Sequence, residues 1–498
     1  MKSLFVEQFD TRNNNHYIFD VNTSVVIPDN KIMSECLELL NNSYGYDEVY
    51  EVLRNKYDEE QVCSTVKFVQ RWEKIGGFFK EESKDSIPLA NEELIKHEFD
   101  NGLTFMLVIN VTEDCNFRCK YCYLSEEYEF TRNRTSRQMD YDVAIKGIDT
   151  FFEYLHKIKE YIPNKKAAIT FYGGEPLLEF ELVKKLTEYI NKNKPVPIVF
   201  NMTTNAYHMT EEVGDFIVEN NFHVAVSLDG SEKNHNRNRV LAGQKGTYEK
   251  VIQRLSSFSE RHKDYLNIGL ISVYDVKTDL NDNLKFFNEK KIPRILFTNE
   301  VSSTNTNYYD RFDESDYKIF QEEYNKLLET YIEKRQRKEK MDNYTQMMIE
   351  SRLIPVILRT RHLDKKASVT PYTNTCLPGM KISVRVDGTL DLCERINYCF
   401  PLGNVEEGLD YSKISEVINQ YNHDIVSECN DCIAYRNCPL CYAYTNSDGC
   451  FKKEKDFCEK WVNEQKKKFQ IVYSILESNP DAFAEAEIAL TESFIFRV

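Results

Sequence analysis

Three cysteines of this chain lie close together in the spacing CxxxCxxC: Cys115, Cys119 and Cys122. Three thiolates on one loop can hold three irons of a four-iron cluster and leave the fourth iron open to another ligand. The apolar run 103–111 comes directly before them, and the loops that follow the strands of a βα barrel are where active sites lie. A zinc site completed from elsewhere in the chain is the alternative that this spacing leaves open.

A second and larger group of cysteines lies near the C-terminal end. Cys376, Gly388 and Cys393 have the spacing Cx11Gx4C. The rest of the group comprises a CxxCx5CxxC run, one later cysteine and two extra ones: Cys429, Cys432, Cys438 and Cys441; Cys458; Cys399 and Cys450. Clustering at short spacing indicates metal ligation rather than disulfides. Cys36 and Cys63 stand apart in helical patterns, and we expect them to act as small apolar residues.

The first group resembles the cluster motif of the radical S-adenosylmethionine (SAM) superfamily, CxxxCxΦC, in which Φ is aromatic. Tyr121 fills the aromatic position. The resemblance implies that Cys115, Cys119 and Cys122 hold a [4Fe–4S] cluster. It also implies that the open iron binds the amino and carboxylate groups of SAM, with Tyr121 near the adenine.

Other stretches fit the same family at the ends of predicted strands. Gly173-Gly174-Glu175 follows the second strand, where glycines allow a close backbone approach and Glu175 offers an acceptor to the SAM ammonium. Arg239 and His235 fit the pattern His-Asp-x-x-Arg, although Asn236 replaces the Asp. The resemblance implies these further SAM contacts: Thr204, Asn205, Ser227, Asp229 and Arg239. An ordinary polar loop residue is the alternative at each of them.

The second group resembles the SPASM extension of radical SAM enzymes, which holds auxiliary four-iron clusters. It departs from the usual CxxCx5CxxxC run, because only Pro439 and Leu440 separate the last two cysteines. The resemblance implies two ligand sets: Cys429, Cys432, Cys438 and Cys458 for one cluster; Cys376, Cys393 and Cys441 for the other. The fourth ligand of the latter stays open between Cys399, Cys450 and a substrate thiolate. A structural zinc ribbon is the alternative.

The elements that must position these groups alternate between strands and helices from about residue 102. Apolar runs predict strands at 103–111, 167–172, 197–203, 223–228, 266–273 and 294–300. Amphipathic periodicity predicts helices near 140–160, 178–193, 210–220, 246–262 and 279–290. Six βα units in series favour an α/β fold with a parallel sheet curled into a partial (β/α)6 barrel.

Two further regions follow the barrel. Residues 313–362 are charged and helical in pattern, and they predict one or two connecting helices. Residues 371–460 show little periodicity, so we expect that apolar side chains alone cannot hold them together and that metal supplies the missing cohesion. We therefore divide the chain into an N-terminal unit, a barrel, a helical connector, a SPASM domain and a tail: 1–95, 96–310, 311–370, 371–465 and 466–498.

The N-terminal unit has the pattern strand, strand and three helices. His16–Val21 and Ser24–Ile27 predict the strands, and the helices and a polar linker follow at 31–42, 46–56, 59–74 and 80–91. The pattern fits a winged-helix-like fold and resembles the peptide-recognition domain of enzymes that modify ribosomally made peptides. There the leader peptide adds a strand to an exposed sheet edge, for which both predicted strands are candidates. A domain that only packs against the barrel is the alternative.

Charge and composition limit the remaining possibilities. The net charge of −16 argues against a surface that binds nucleic acid. No apolar run approaches the length of a membrane-spanning helix, and residues 1–15 turn polar too soon for a secretory signal. We therefore expect a cytoplasmic protein with no membrane partner.

The segments around Cys376 and Cys393 look most like those of peptide maturases that form Cys thioether crosslinks, the sactipeptide and ranthipeptide classes. The resemblance implies SAM, one SAM-binding and two auxiliary [4Fe–4S] clusters, a 5′-deoxyadenosyl radical, a precursor peptide with a leader, and flavodoxin or ferredoxin as electron donor. One alternative is a maturase that forms carbon–carbon or cyclophane crosslinks. Another is an anaerobic sulfatase-maturating enzyme, which usually has Asp where Glu394 stands. A non-catalytic iron–sulfur scaffold is a third, and the presence of Glu175 argues against it.

Overall fold

A small domain of strands and helices opens the chain. The computed structural model describes residues 3–80, 89–162, 164–289, 292–361 and 376–484, so most of the predicted linker at 80–91 lies outside the described residues. The elements of the first domain are β1 (Ser3–Leu4), β2 (Val6–Asp10), β3 (His16–Asp20), β4 (Val25–Pro28), α1 (Lys31–Asn41), α2 (Tyr46–Arg54), α3 (Glu59–Lys74) and β5 (Phe79–Lys80). The α1 and α3 helices begin at polar caps, because Asn30 and Asp58 accept hydrogen bonds from the first turns.

The main sheet of this domain has the order β2-β3-β4 and is antiparallel. The prediction that the strand beginning at His16 offers an exposed edge is wrong, because the unpredicted β2 pairs with it. Among the described residues, no strand pairs with the outer side of β4. Asp29 N donates to His16 O (2.8 Å), so the alternation of an antiparallel pair turns the Val26 N–H and C=O outward. The described residues place no strand on the outer side of β2 either, so β4 is one of the two edges of this sheet and the one that lies in a predicted strand.

Six parallel strands with their helices form the centre of the molecule. In chain order the elements are α4 (Glu92–Asp100), β6 (Met106–Thr112), α5 (Tyr141–Lys159), β7 (Ala167–Gly173), α6 (Phe180–Asn193), β8 (Ile198–Thr204), α7 (Glu211–Glu219), β9 (His223–Ser227), α8 (Glu232–Asn238), α9 (Tyr248–Arg261), β10 (Ile268–Tyr274), α10 (Leu280–Glu289) and β11 (Ile295–Glu300). Sheet order follows chain order and every neighbouring pair is parallel, so all carboxyl ends lie at one rim. The predicted partial barrel is confirmed.

Two helices connect the barrel to the C-terminal region, as the charge pattern predicts: α11 (Glu314–Gln336) and α12 (Asn343–Ile357). Asp313 starts the first of them by accepting hydrogen bonds from two backbone N–H groups of its first turn. The second helix packs against β11 and carries the buried Glu350, which pairs with Arg335 of the first. This buried pair fixes the two helices against each other.

The cysteine-rich region extends the barrel sheet. Its elements are β12 (Lys381–Val384), β13 (Thr389–Asp391), β14 (Gly403–Asn404), β15 (Gly408–Leu409), α13 (Tyr411–Asp424), α14 (Tyr442–Thr445) and α15 (Phe457–Leu476). The β12 strand pairs in parallel with β6, and the next three add in antiparallel fashion. Ile382, Leu390 and Ile418 are buried in the same core as the barrel. Apolar side chains of this region therefore pack into the barrel core, and the expected contribution of metal stays a prediction.

The first domain lies on α15, the last helix in the described part of the chain. The Phe19 and Phe469 rings are 4.5 Å apart, and Phe9 also contacts Phe469 at 5.5 Å between ring centroids. Phe5 stacks on Tyr435, which lies between two predicted cluster ligands. These aromatic contacts bury both partners, so the N-terminal sheet and the auxiliary-cluster region form one packed unit.

None of the 14 cysteines forms a disulfide in this structure. Cys36 is buried in the first domain, and burial raises the pKa of its thiol to about 12, as expected for a small apolar residue. Of the helices in the described part of the chain, none has the length and apolar character needed to cross a membrane.

Candidate active site

The cysteine loop begins directly after β6, at the rim formed by the carboxyl ends of the strands. Thr112 Oγ1 accepts from Asp114 N (3.1 Å), and Asp114 Oδ1 accepts from Cys115 N (2.7 Å). Arg118 N donates to Val240 O (2.7 Å), which ties the loop to the segment after α8. These bonds hold the loop at the end of the barrel where catalytic residues of such folds lie.

The three thiols of this loop are close together and enclosed. Burial raises the pKa of each of them, to about 12 for Cys119, and the neighbouring thiols raise the pKa of Cys115 further. Phe117 N donates to Cys115 Sγ and Leu124 N donates to Cys122 Sγ, each at 3.4 Å. Backbone donors of this kind stabilise thiolate sulfur and tune iron–sulfur clusters.

Gly173 and Gly174 bring the end of β7 against the same loop. Gly173 has a φ of +135°, and a Cβ at either glycine would overlap with Thr112 O or Asp114 O. Gly174 N donates to Thr112 O and Glu175 N donates to Asp114 O, both at 2.9 Å. The close approach that requires glycine here joins two backbone segments, and it places Glu175 beside the cysteines.

The buried Glu175 carboxylate joins two rim loops. It accepts from Thr204 Oγ1 (2.6 Å), Asn205 N (2.7 Å) and Leu177 N (3.1 Å). Burial raises the pKa of Glu175, and these three donors act to lower it. Asn205 Nδ2 in turn donates to Asn116 Oδ1 (2.8 Å) inside the cysteine loop. Three predicted site residues are thus brought together in one hydrogen-bond network.

Glu175→Gln is expected to lower the free energy of unfolding by about 1–3 kcal/mol. The NH2 of the glutamine amide cannot accept a hydrogen bond, so one of the three buried donors to Glu175 loses its acceptor. The measurement is denaturant unfolding of the protein without cofactors. Glu181→Gln is the matched control, because Glu181 is exposed on α6 and pairs only with a surface lysine there. Equal stability of the two variants would contradict the role given to the Glu175 network.

Tyr121, Asp229 and Arg239 form a second buried network. Tyr121 Oη donates to Asp229 Oδ2 (2.5 Å) and accepts from Arg239 Nη1 (2.7 Å). The guanidinium also lies 5.7 Å from the centroid of the Phe117 ring. Asp229 Oδ1 accepts from Val273 N (3.1 Å) on the neighbouring strand. The aromatic residue of the cysteine motif is therefore fixed by two charged groups of opposite sign.

Residues beyond the predicted contacts support this network. His235 Nε2 lies 3.0 Å from Thr247 Oγ1, which donates to Arg239 O (2.7 Å). Asn236 Oδ1 accepts from Thr247 N (2.8 Å), so the residue that replaces the family's Asp still supplies a side-chain acceptor. Burial lowers the pKa of His235 well below its usual range, and the ring acts as a neutral brace. Ser227 lies half-buried at the end of β9.

Four cysteines of the C-terminal region come together as the SPASM resemblance implies. Burial raises the pKa of Cys438 to about 12, with further upward contributions from Cys429, Cys432 and Cys458. Lys453 acts to lower the pKa of Cys429. The four thiols thus lie near one another, with the Lys453 ammonium close to Cys429.

The second ligand set gathers next to β12. Burial raises the pKa of Cys393 to about 12, and Glu394 and Cys441 raise it further. Burial raises the pKa of Cys441, and the nearby Cys376 thiol raises it further. Lys381 Nζ pairs with Glu394 Oε2 at 2.7 Å. Cys393 and Cys376 thus lie near this ion pair, and Cys441 lies near Cys393.

The two cysteines predicted as a possible fourth ligand, Cys399 and Cys450, lie in segments that contact each other. Cys399 is exposed and its N–H donates to Asn397 Oδ1 (3.0 Å), whereas Cys450 is half-buried and its carbonyl accepts from Ser447 N (2.9 Å). Asn397 Nδ2 donates to Ser447 O (2.8 Å), which holds the two cysteine segments together. Their role stays a prediction.

Sequence reasoning missed the side chains between the two cysteine regions. Tyr123 follows the first cysteine motif, and Tyr172 precedes the glycines of β7. The Arg395 guanidinium carbon lies 5.8 Å from the Tyr123 ring centroid, and Arg395 N donates to Cys393 Sγ (3.2 Å). Adjacency to the cysteines was the only signal in the sequence.

Residues 109–280 match the family model of the Radical SAM superfamily. The match begins inside β6 and ends inside α10, so it contains the cysteine loop and both hydrogen-bond networks. This part of the chain is a radical SAM domain, the class that the cysteine motif predicts.

One curated protein and two solved structures are similar to this chain over most of its length. A cysteine-type anaerobic sulfatase-maturating enzyme of Clostridium novyi is 23% identical over 373 residues, covering 71% of this chain and 89% of the relative. The solved structure of hexahistidine-tagged anSMEcpe with bound AdoMet has a TM-score of 0.56 at 21% identity, covering 76% of this chain and 96% of that one. Native anSMEcpe with bound AdoMet and Kp18Cys peptide has a TM-score of 0.55 at 20% identity, covering 75% and 99%.

The radical SAM family uses SAM and a [4Fe–4S] cluster, and the cysteine-rich C-terminal region fits auxiliary clusters. The site suits such groups, because backbone N–H groups point at cysteine sulfurs. Asn116 Nδ2 and Arg239 Nε are also buried without a partner among the described residues. Within the described ranges, no three His, Cys, Asp or Glu side chains meet around a single metal ion. Assigning each cysteine to a cluster is therefore a proposal.

Proposed function

We propose that this chain modifies a ribosomally made precursor peptide by joining a cysteine sulfur of that peptide to a carbon, as a radical SAM thioether-forming enzyme. The supporting observation is the proximity of two predicted cluster sites. The Arg395 guanidinium carbon lies 5.8 Å from the ring centroid of Tyr123, which follows Cys122, and the Arg395 backbone N–H donates to Cys393 Sγ. A substrate between the two sites can reach both SAM and an auxiliary cluster.

In this proposal the cysteines divide into a SAM-binding set and two auxiliary sets: Cys115, Cys119 and Cys122; Cys429, Cys432, Cys438 and Cys458; Cys376, Cys393 and Cys441. Bound SAM and its reduced cluster supply the hydrogen abstraction from carbon. The chain's own groups position SAM and the substrate. The Glu175 network holds the rim loops in place, and the Tyr121–Arg239–Asp229 network holds the Tyr121 side chain in place. A flavodoxin or ferredoxin of the cytoplasm supplies electrons.

The peptide enters this proposal through the N-terminal domain. The outer side of β4 presents the Val26 N–H and C=O for pairing, and a leader strand added there gains main-chain hydrogen bonds. The domain packs on α15 and on Tyr435 of the auxiliary-cluster region. A leader bound at β4 would therefore be tethered to the part of the chain that carries the clusters.

Sulfatase maturation is the second candidate, because the relatives of that name cover most of this chain. Glu394 occupies the position after Cys393 where those enzymes usually carry Asp, and here its carboxylate is already paired with Lys381 at 2.7 Å. That pairing leaves it less available to act on a substrate and favours the thioether reaction.

One experiment separates the reactions. The chain is co-expressed with short cysteine-containing precursor peptides encoded beside its gene, and the products are alkylated and analysed by mass spectrometry. A thioether removes two hydrogens and one alkylatable thiol, whereas a carbon–carbon crosslink removes two hydrogens and keeps every thiol. Formylglycine formation replaces the cysteine sulfur with an aldehyde oxygen. Unmodified peptides throughout would contradict the proposal.

Val26→Pro is expected to weaken binding of the leader peptide about tenfold, because proline removes the outward N–H of β4 without touching its inward pairing. Fluorescence anisotropy of a labelled leader measures this, and SAM cleavage without peptide stays unchanged. Val66→Ala, in α3 away from the edge, is the control for general loosening of the domain. Unchanged leader affinity in Val26→Pro would exclude β4 as the recognition strand.

A further inference from the structure

Arg395 occupies the space between the two predicted cluster sites. Its guanidinium carbon lies 5.8 Å from the centroid of Tyr123, which directly follows Cys122. Its backbone N–H bonds to Cys393 Sγ at 3.2 Å. Tyr172 at the end of β7 and Tyr444, next to the third thiol of the second set, are its other aromatic neighbours. The side chain is therefore surrounded by loops from the barrel and from the C-terminal region.

The Arg395 guanidinium has donors to spare. Across the part of the chain that the structure describes, it donates no hydrogen bond to another residue. The side chain is exposed, whereas Cys393 is buried and Tyr123 and Tyr172 are half-buried. A planar cation that is exposed and has free donors is accessible to water or to a ligand.

Nearby carboxylates are already committed to other cations. Glu394 pairs with Lys381 at 2.7 Å. The Asp391 carboxylate accepts two hydrogen bonds from Arg385, at 2.5 and 2.6 Å. The Glu394 charge also acts on Arg395, but Lys381 holds that carboxylate, and the guanidinium donates no hydrogen bond to either of these acidic groups. A guanidinium has five donors in a planar fork and can bind a carboxylate through two parallel hydrogen bonds.

We infer that Arg395 binds a carboxylate of the substrate peptide, an Asp or Glu side chain, in the space between the SAM-binding and auxiliary cysteines. This inference rests on the proposed function. A carboxylate held there would place the carbons beside it next to both cysteine regions. Arg395 would thus help to select which residue of the peptide is modified.

Binding to two synthetic probes tests the inference: fluorescein-labelled Gly-Cys-Gly-Gly-Asp-Gly-amide and its Asn counterpart. Each is titrated by fluorescence anisotropy against the cluster-reconstituted full chain without SAM. The native chain is expected to bind the Asp probe about tenfold more tightly than the Asn probe. In Arg395→Gln this preference disappears, and Arg395→Lys keeps part of it because the charge remains.

Arg337→Gln is the matched control, since Arg337 is exposed beyond α11 and far in sequence from the cysteines. Iron content and the spectra of the clusters show whether each variant keeps its fold. The inference is overturned if the native chain shows no preference or if Arg395→Gln keeps it in full. Peptide modification is not needed for this readout, so a chain that shows the preference but modifies no peptide would refute only the proposed function.

Discussion

Cys119→Ala is expected to abolish reductive cleavage of SAM. Changes in residues that only support a metal ligand lower activity roughly 10–100-fold, and the loss of a ligand itself is expected to exceed that. The reason is that the loop after β6 holds only three cysteines, Cys115, Cys119 and Cys122, and Cys119 is one of them. Iron content is expected to fall by about four atoms per chain. Deoxyadenosine, measured by liquid chromatography after reduction with dithionite, provides the readout.

Cys63→Ala is the control for Cys119→Ala. Cys63 is half-buried in α3 of the first domain, outside every predicted ligand set. This variant is expected to keep native iron content and native deoxyadenosine formation. If Cys119→Ala still formed deoxyadenosine at the native rate, the cysteine loop could not be the SAM-binding site.

Cys438→Ala is expected to separate SAM cleavage from peptide modification. Cys438 is buried beside three other thiols in the C-terminal region. In the proposed assignment these four thiols hold one auxiliary cluster, so the loss of Cys438 would remove a ligand from that cluster only. We expect about four irons fewer per chain, retained deoxyadenosine formation and loss of modified peptide by mass spectrometry. The physical reason is that the Cys115–Cys122 loop is held by the barrel, whereas an oxidised product requires a route for its electrons.

The same Cys63→Ala chain serves as the reference for this second experiment. Modified peptide at native yield in Cys438→Ala would show that this thiol does not ligate a cluster needed for the reaction. Loss of deoxyadenosine as well would show that the two regions do not act separately.

The barrel was predictable because its strands are continuous apolar runs. The β6 strand is buried along its whole length, and such a run identifies itself without knowledge of its neighbours. The β12 strand has only four residues and gains its place by pairing with β6 over a long sequence separation. Local pattern carries no information about such a pairing, so the extension of the sheet and its shared core were missed.

The edge of the N-terminal sheet was mispredicted for a similar reason. His16–Asp20 has the pattern of any half-buried strand, and only its pairing with Val6–Asp10 reveals that it is central. The β2 segment has polar residues on one face, and it forms a strand because it pairs with β3. Edge and centre are properties of the sheet rather than of one segment.

The candidate site was predictable as a set of residue types but not as a set of contacts. Spacing alone indicated the cysteines, and short motifs indicated Glu175 and Arg239. That Glu175 is shared by three backbone and side-chain donors follows from loops that meet only in three dimensions. Arg395 carries no motif at all, because its place between two cysteine regions is a product of the fold.

The most direct test of the central claim is electron paramagnetic resonance of the reduced, anaerobically reconstituted chain. Spectra are recorded without SAM and with SAM that carries a magnetic isotope in its amino nitrogen or its carboxylate oxygens. If Cys115, Cys119 and Cys122 leave one iron open, the cluster signal changes on addition of SAM and shows coupling to the labelled amino or carboxylate group. The signal and the coupling are lost in Cys119→Ala. A signal that SAM leaves unchanged, or zinc bound in that loop, would contradict the account.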